Sequence, residues 1–169
     1  MKDEGGTVLN DEKLIGERIT SFYKTLYSTR PTSDEGFVDL INDKLSVDQS
    51  RESGKPICRN EAYNALKIMK GGKAPGDDGL TVGFYKCFWS ILAPALLRCF
   101  DEAIREGCLS TSQKRSVIKL LLKKGKDPLD IKNFRPISLI NTDAKIFSKI
   151  AANRLRAPMK IPVVLVADS

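Results

Sequence analysis

Lys123, Lys124, Lys126, Lys132 and Arg135 fall within 13 residues, a density of cations suited to gripping phosphate rather than to moving protons. Lysine brings a compact point charge, and arginine a planar fork that meets two phosphate oxygens at once, so together they could hold a polyphosphate or a nucleic-acid backbone. A solvated hairpin tip with no ligand has the same composition, and these residues alone leave both readings open.

Other candidate chemistry falls away on spacing. Gly71-Gly72-Lys73 suggests a phosphate loop, but that loop needs G-x-x-x-x-G-K-[ST], and Lys67 and Ala74 stand where glycine and a hydroxyl are required. Asp77 and Asp78 could hold a hard divalent cation. They also lie in a Pro-Gly turn just before an expected helix, where carboxylates are stabilised by exposed N–H groups, and that structural role is the expected one. The chain has no histidine, which removes Ser-His-Asp and Cys-His catalysis together with HExxH and Cys2His2 zinc sites. Cys58, Cys87, Cys99 and Cys108 form no C-x-x-C pair, so free thiols that are buried or inert are expected. The opening MKDEGGTVLNDEK lacks the apolar stretch of a secretory signal, and the longest apolar run, Val163 to Ala167, is far short of a membrane span. A reducing compartment, cytoplasmic or nuclear, and no membrane partner are expected.

The charge is unevenly spread. Of the formal +7, residues 1–60 carry 9 basic and 11 acidic side chains, residues 61–112 carry 6 and 6, and residues 113–169 carry 13 and 4. A cationic final third joined to neutral and acidic segments can present one surface to a polyanion.

The elements that must position these residues follow from periodicity. Leu14, Ile15, Ile19, Phe22, Tyr23, Leu26 and Tyr27 recur at helical spacing behind Asn10 and Asp11, predicting a helix over 11–28 that Arg30-Pro31 closes. A short helix is expected around Phe37, Val38, Leu40 and Ile41, then a loop from Ser46 to Lys55. Ala62, Ala65, Leu66 and Met69 mark a helix over 60–70 ended by Gly71-Gly72. The turn-rich Lys73-Ala-Pro-Gly-Asp-Asp-Gly79 follows. A helix capped by Thr81 carries Phe84, Phe88, Ile91 and Leu92 until Pro94 breaks or kinks it, with Leu66 and Phe88 as core residues. Leu96, Leu97, Phe100 and Ile104 continue to Gly107. Val117–Leu122 and Phe134–Ile140 read as strands joined by the lysine-rich turn, making a basic hairpin. From Thr142 a helix runs through Phe147, Ile150 and Leu155, with Lys145, Lys149 and Arg154 toward solvent, until Pro158.

Three blocks then carry a resemblance. KAPGDDGLTVGFYKCFW, VIKLLLKKGKD and NFRPISLINTDAKIFSKIAANRL resemble, in order and spacing, the opening blocks of reverse transcriptases from LINE-type non-long-terminal-repeat retrotransposons. They cover about residues 60–156, and SFYKTLYS in the first helix resembles the segment that precedes the polymerase there. The family pattern is close to K-[AS]-P-G-x-D-G, I-P-K, then [FY]-R-P-I-S-L and K-I-[LA]-A-N-R-L. Leu122 replaces the proline before Lys123, and Asp77 occupies the variable position.

The resemblance implies an α+β, mostly helical chain: the fingers-like part of a right-handed polymerase with one basic β-hairpin and an incomplete palm. Residues 1–59 would be a helical linker, 60–156 the fingers and palm entry, and 157–169 a divergent tail. It assigns Lys123 and Arg135 to the triphosphate of an incoming deoxynucleotide. Lys73, Lys124, Lys126, Lys132, Lys145 and Lys149 would serve RNA or DNA template-primer, while Gly76, Asp78 and Gly79 shape a structural loop. The family's palm aspartates, which hold Mg²⁺ in the complete enzyme, belong to segments downstream of R-P-I-S that residues 136–169 do not match; Asp168 lacks partner carboxylates. The expectation is a fragment with no catalytic residue and no cofactor or metal of its own, inactive alone. The alternatives are a stand-alone nucleic-acid-binding module and a non-functional relic.

Overall fold

A computed structural model describes residues 1–28 and 45–159. The helix expected near Phe37–Ile41, its Arg30-Pro31 boundary and residues 160–169 lie outside the described residues. The elements in chain order are α1 (Glu12–Ser28), α2 (Val47–Ser53), α3 (Arg59–Lys67), α4 (Val82–Cys87), α5 (Trp89–Glu106), α6 (Thr111–Lys114), β1 (Ser116–Leu122), a 3-10 turn (Ile131–Asn133), β2 (Phe134–Ile140) and α7 (Thr142–Met159). The protein is α+β and mainly helical, with β1 and β2 paired as one antiparallel ribbon. The described residues divide into two units, one of residues 45–117 and 138–159, the other of residues 1–28 and 118–137.

The larger unit is built around α3, α4, α5 and α7. Ala62, Ala65 and Leu66 share one face of α3; Trp89, Ala93, Leu96 and Phe100 recur every three or four residues along α5; and Ile146 and Ile150 lie one turn apart on α7. Leu66, Phe100, Ile146 and Ile150 are completely or almost completely buried. Ala62, Ala65 and Ala93 are fully buried too, and their small side chains let the helix backbones approach closely.

Local chemistry fixes the helix ends. Thr81 Oγ1 accepts the Phe84 N–H (3.3 Å) and Cys58 Sγ accepts that of Glu61 (3.4 Å), each relieving an orphan donor at a helix start. At the end of α5, Gly107 takes φ 67°, a left-handed conformation that glycine adopts without steric cost. α3 ends at Lys67 instead of reaching Lys70. There the Lys86 ammonium donates to the carbonyls of Lys67 (3.0 Å) and Met69 (2.8 Å), placing positive charge where the helix leaves its acceptors unpaired.

Several expectations are corrected. The presumed loop from Ser46 to Lys55 contains α2, set by a reciprocal capping box between Ser46 and Gln49. Phe88 is not a core residue: the chain leaves helical geometry there (φ −99°, ψ 20°), α5 starts with a new phase, and Trp89 turns inward while Phe88 stays 44% exposed. Of the two effects expected of Pro94, a break does not occur, since α5 runs unbroken through it. Having no N–H, it cannot serve the Ser90 carbonyl, and Arg59 Nη2 approaches that oxygen instead (3.5 Å). α7 extends one residue past Pro158, to Met159. All four cysteines are free but exposed, not buried.

In the smaller unit, α1 buries Tyr23 and the hairpin turn buries Ile131. The N-terminal segment pairs Lys2 with Val8, and the Lys2 N–H donates to the Leu129 carbonyl (2.7 Å). α1 and Ile118 line one cavity of this unit, yet the ribbon of β1 and β2 stays largely exposed. Ile118, Leu121, Leu122 and Ile137 are each more than 40% exposed, as is Val117 where the strand enters from the larger unit.

Candidate nucleic-acid interface

The basic hairpin belongs to the smaller unit. The Lys123 N–H donates to the Asn133 carbonyl (2.9 Å), carrying the ladder one step past both seven-residue strands. Regular antiparallel register counted from that bond sets Lys119, Lys123 and Arg135 on one face, and sets Pro136 where a strand needs no N–H toward its partner. Lys119 is the cation that counting residues in the turn missed; its signal is the parity of the strand.

Lys123 and Arg135 differ in what they do. Lys123 is half-buried, and its ammonium donates to the Lys132 carbonyl (2.8 Å), bracing the turn. Arg135 is exposed, and its guanidinium has no hydrogen-bonding or ionic partner among the described residues. Lys124, Lys126 and Lys132 are exposed as well. The acids of the turn are occupied by its folding. Asp130 Oδ1 accepts the Lys132 N–H (3.0 Å). Asp127 accepts the Leu129 N–H (2.9 Å) and pairs with Lys2 (3.3 Å). Those two partners, the Leu129 N–H first, hold the Asp127 carboxyl below its ordinary range.

The KAPGDDG loop belongs to the larger unit and is locked there by the start of α7. A Cβ on Gly76 would lie 2.0 Å from Asn141 Oδ1 and 2.6 Å from the Asn141 backbone nitrogen, so only glycine fits. Asn141 is buried; its Oδ1 accepts the Asp78 N–H (3.4 Å), and its Nδ2 donates to the Ser112 carbonyl (3.1 Å). Thr142 Oγ1 donates to the Leu80 carbonyl (2.6 Å). Asp77 pairs with Arg115 (3.1 Å), Asp78 Oδ1 accepts the Leu80 N–H (2.9 Å), and Gly79 takes φ 71°. The first and third sequence blocks thus meet through Asn141 and Thr142, residues that sequence reasoning did not single out. Nearby, burial raises the pKa of Tyr85, with the carboxylates of Asp143 and Asp78 adding to the effect.

The structure brings Lys73 and Lys145 to one cavity together with Lys70. Lys149 lies one turn beyond Lys145 on α7 and does not line it. Arg154, expected toward solvent, is instead largely buried because Glu61 and three carbonyls engage its whole guanidinium. Nε and Nη2 form a fork on the Glu61 carboxylate (2.6 and 2.7 Å), Nη1 donates to the Ser53 (3.1 Å) and Lys55 (2.5 Å) carbonyls, and Nη2 also donates to that of Pro56 (3.2 Å). Among the described residues no three acidic or cysteine side chains gather to hold a metal ion. The Mg²⁺ implied by the resemblance meets no such cluster there.

No protein-family model matches the chain. It is 40% identical over 156 residues, 91% of its length, to the transposon TX1 uncharacterized 149 kDa protein of Xenopus laevis. It is 28% identical over 100 residues to the RNA-directed DNA polymerase from mobile element jockey of Drosophila funebris, and 30% identical over 103 residues to the probable RNA-directed DNA polymerase from transposon BS of Drosophila melanogaster; these matches cover 59% and 60% of the chain. The chain spans only 11 to 12% of the length of these relatives. Over a segment of that extent, its homologues are thus LINE-type transposon proteins, RNA-directed DNA polymerases among them.

Proposed function

We propose that the chain is the fingers-like part of an RNA-directed DNA polymerase and that its basic hairpin holds phosphate. Arg135, beside the braced Lys123, serves the triphosphate of an incoming deoxynucleotide. Lys124, Lys126 and Lys132 serve the backbone of RNA or DNA template-primer, and Lys73, Lys145 and Lys149 add phosphate contacts from the larger unit. The observation that carries this reading is the exposed Arg135 guanidinium on a hairpin whose acids are already engaged. A fork with nothing to hold in the folded chain suits a phosphate ligand. The exposed apolar ribbon fits a segment whose covering layers belong to a longer polypeptide.

The chain by itself is expected to extend no primer, since the family's Mg²⁺-holding palm aspartates have no counterpart in its three matching blocks. The four free exposed thiols suit a reducing cytoplasm or nucleus. The test combines primer extension on RNA and DNA templates with fluorescence anisotropy of labelled deoxynucleoside triphosphate and single-stranded RNA. The expected result is no extension, triphosphate binding lost in Arg135→Ala, and strand binding weakened in the Lys124, Lys126, Lys132 triple alanine variant. Template-dependent extension, or salt-independent strand binding by the wild-type chain, overturns the proposal.

A further inference from the structure

In the larger unit, a cavity of about 260 Å³ lies between the segment at Met69–Ala74 and the first turns of α7. Lys70, Lys73 and Lys145 line it, Met69 and Val82 give it apolar walls, and no carboxylate lines it. We infer that this cavity is a binding pocket for a single phosphate group of a nucleic-acid strand; the inference rests on the nucleic-acid reading above and assigns it a site separate from the hairpin.

The acids that could have neutralised the lysines are committed elsewhere. Asp77 faces Arg115, Asp78 serves the Leu80 N–H, and Asp143 accepts the Ala144 N–H (2.7 Å). Lys70 and Lys73 have no hydrogen-bonding or ionic partner among the described residues. Lys145 is half-buried, and its ammonium donates to the Ala74 carbonyl (3.2 Å). That single bond holds the group at the cavity wall and leaves two of its three donors. The Thr142 hydroxyl is spent on the Leu80 carbonyl, so the ammonium groups are the side-chain donors the pocket offers, and its ligand must be an acceptor. Apolar walls lower the local dielectric and strengthen the attraction of each ammonium for an anion. Three cations on one small cavity therefore act on one phosphate, whereas lysines spread over a solvated face would each meet a different one.

That distinction can be measured. For single strands the log–log dependence of affinity on salt has a slope of about −0.7 per phosphate neutralised. Binding of fluorescein-labelled single-stranded RNA is followed by anisotropy from about 50 to 200 mM salt for the wild-type chain, for Lys70→Gln, Lys73→Gln and Lys145→Gln, and for the triple variant. Glutamine keeps a donor for the Ala74 carbonyl while removing charge, and circular dichroism confirms that each variant is folded. A one-phosphate pocket predicts that the triple variant flattens the slope by about 0.7 in total, whereas independent contacts predict about 2. A flattening of about 2, or none in a folded triple variant that still binds RNA, overturns the pocket and leaves the hairpin reading standing. Failure of the wild-type chain to bind RNA overturns both. In a second arm, inorganic phosphate and RNA are titrated separately while the Ala74, Thr142 and Lys145 amides are followed by NMR. Shifts caused by RNA support the strand assignment; shifts caused by inorganic phosphate alone overturn it in favour of a free anion.

Discussion

The helical unit and the hairpin unit stabilise themselves in opposite ways. The first encloses a continuous apolar core from α3, α4, α5 and α7 and spends its polar groups on holding loops: Asn141 on the KAPGDDG turn, Lys86 on the end of α3, Arg154 on Glu61 and three carbonyls. The second leaves four large apolar side chains of its ribbon more than 40% exposed and relies on short hydrogen bonds and turn acids. A two-stranded ribbon is marginal without packing. The difference shows that one chain can carry a well-enclosed helical core and also a cationic hairpin that is braced only locally.

The largest expected effect lies in the core. Phe100→Ala should cost about 3 to 5 kcal/mol, since the ring is fully buried, while Phe88→Ala should cost no more than about 0.5 kcal/mol, as for a surface change. Chemical denaturation midpoints check both. Equal losses for the two would break the contrast between them and restore one unbroken helix through Phe88.

This pair also shows how legible the fold was. Helix periodicity located α1, α3, α5 and α7 and both strands, because each buries a face or alternates over several residues. It failed where one residue resets the phase: Phe88 interrupts the 81–106 stretch, and nothing in its neighbours announces that α5 begins again at Trp89. It missed α2 because VDQSRES has no apolar face and is set by a local cap. At the candidate interface, the cations of the turn were legible from composition. Lys70, Lys119 and Asn141 were not, because their roles come from a cavity, a strand register and a long-range hydrogen bond.

Arg154→Lys should cost about 1.5 to 3 kcal/mol, the range for hydrogen bonds to charged groups, because an ammonium cannot reproduce the fork on Glu61 while also reaching the Ser53, Lys55 and Pro56 carbonyls. Thermal unfolding reads it, and Glu61→Gln should give a smaller loss because the backbone acceptors remain. A neutral Arg154→Lys variant would mean that apolar packing alone holds α7 in place, which sharpens the comparison toward the core.

Gly76→Ala should cost about 1 to 3 kcal/mol, the range for overpacking, since the added carbon meets Asn141 and the backbone of Ile140 and Asn141. The double variant Gly76→Ala with Asn141→Ala should recover only part of the loss, because backbone atoms remain within 2.7 Å of the new carbon. Full recovery would assign the whole clash to the Asn141 side chain.

The smallest effect belongs to the hairpin and depends on pH. Asp127 has its carboxyl held below the ordinary aspartate value by the Leu129 N–H and by Lys2, so the ionised form is favoured by folding. A group whose native pKa is depressed contributes stability that is present above its unfolded pKa, about 3.9, and is lost as pH falls through the lower native value. Between pH 5 and 7, roughly above both values, the wild-type turn should therefore protect the Leu129 amide from hydrogen exchange better than Asp127→Asn does. The difference should narrow below about pH 4 and vanish once the wild-type carboxyl is protonated. Because the pair is solvent-exposed, about 0.15 M salt should weaken the Lys2 part and leave the backbone bond to Leu129 as the larger share. Protection of Leu129 that is identical in the two proteins at pH 6 would show that the turn is held by its 3-10 geometry and the Lys123 brace instead, and would bring the hairpin closer to the self-sufficiency of the helical unit.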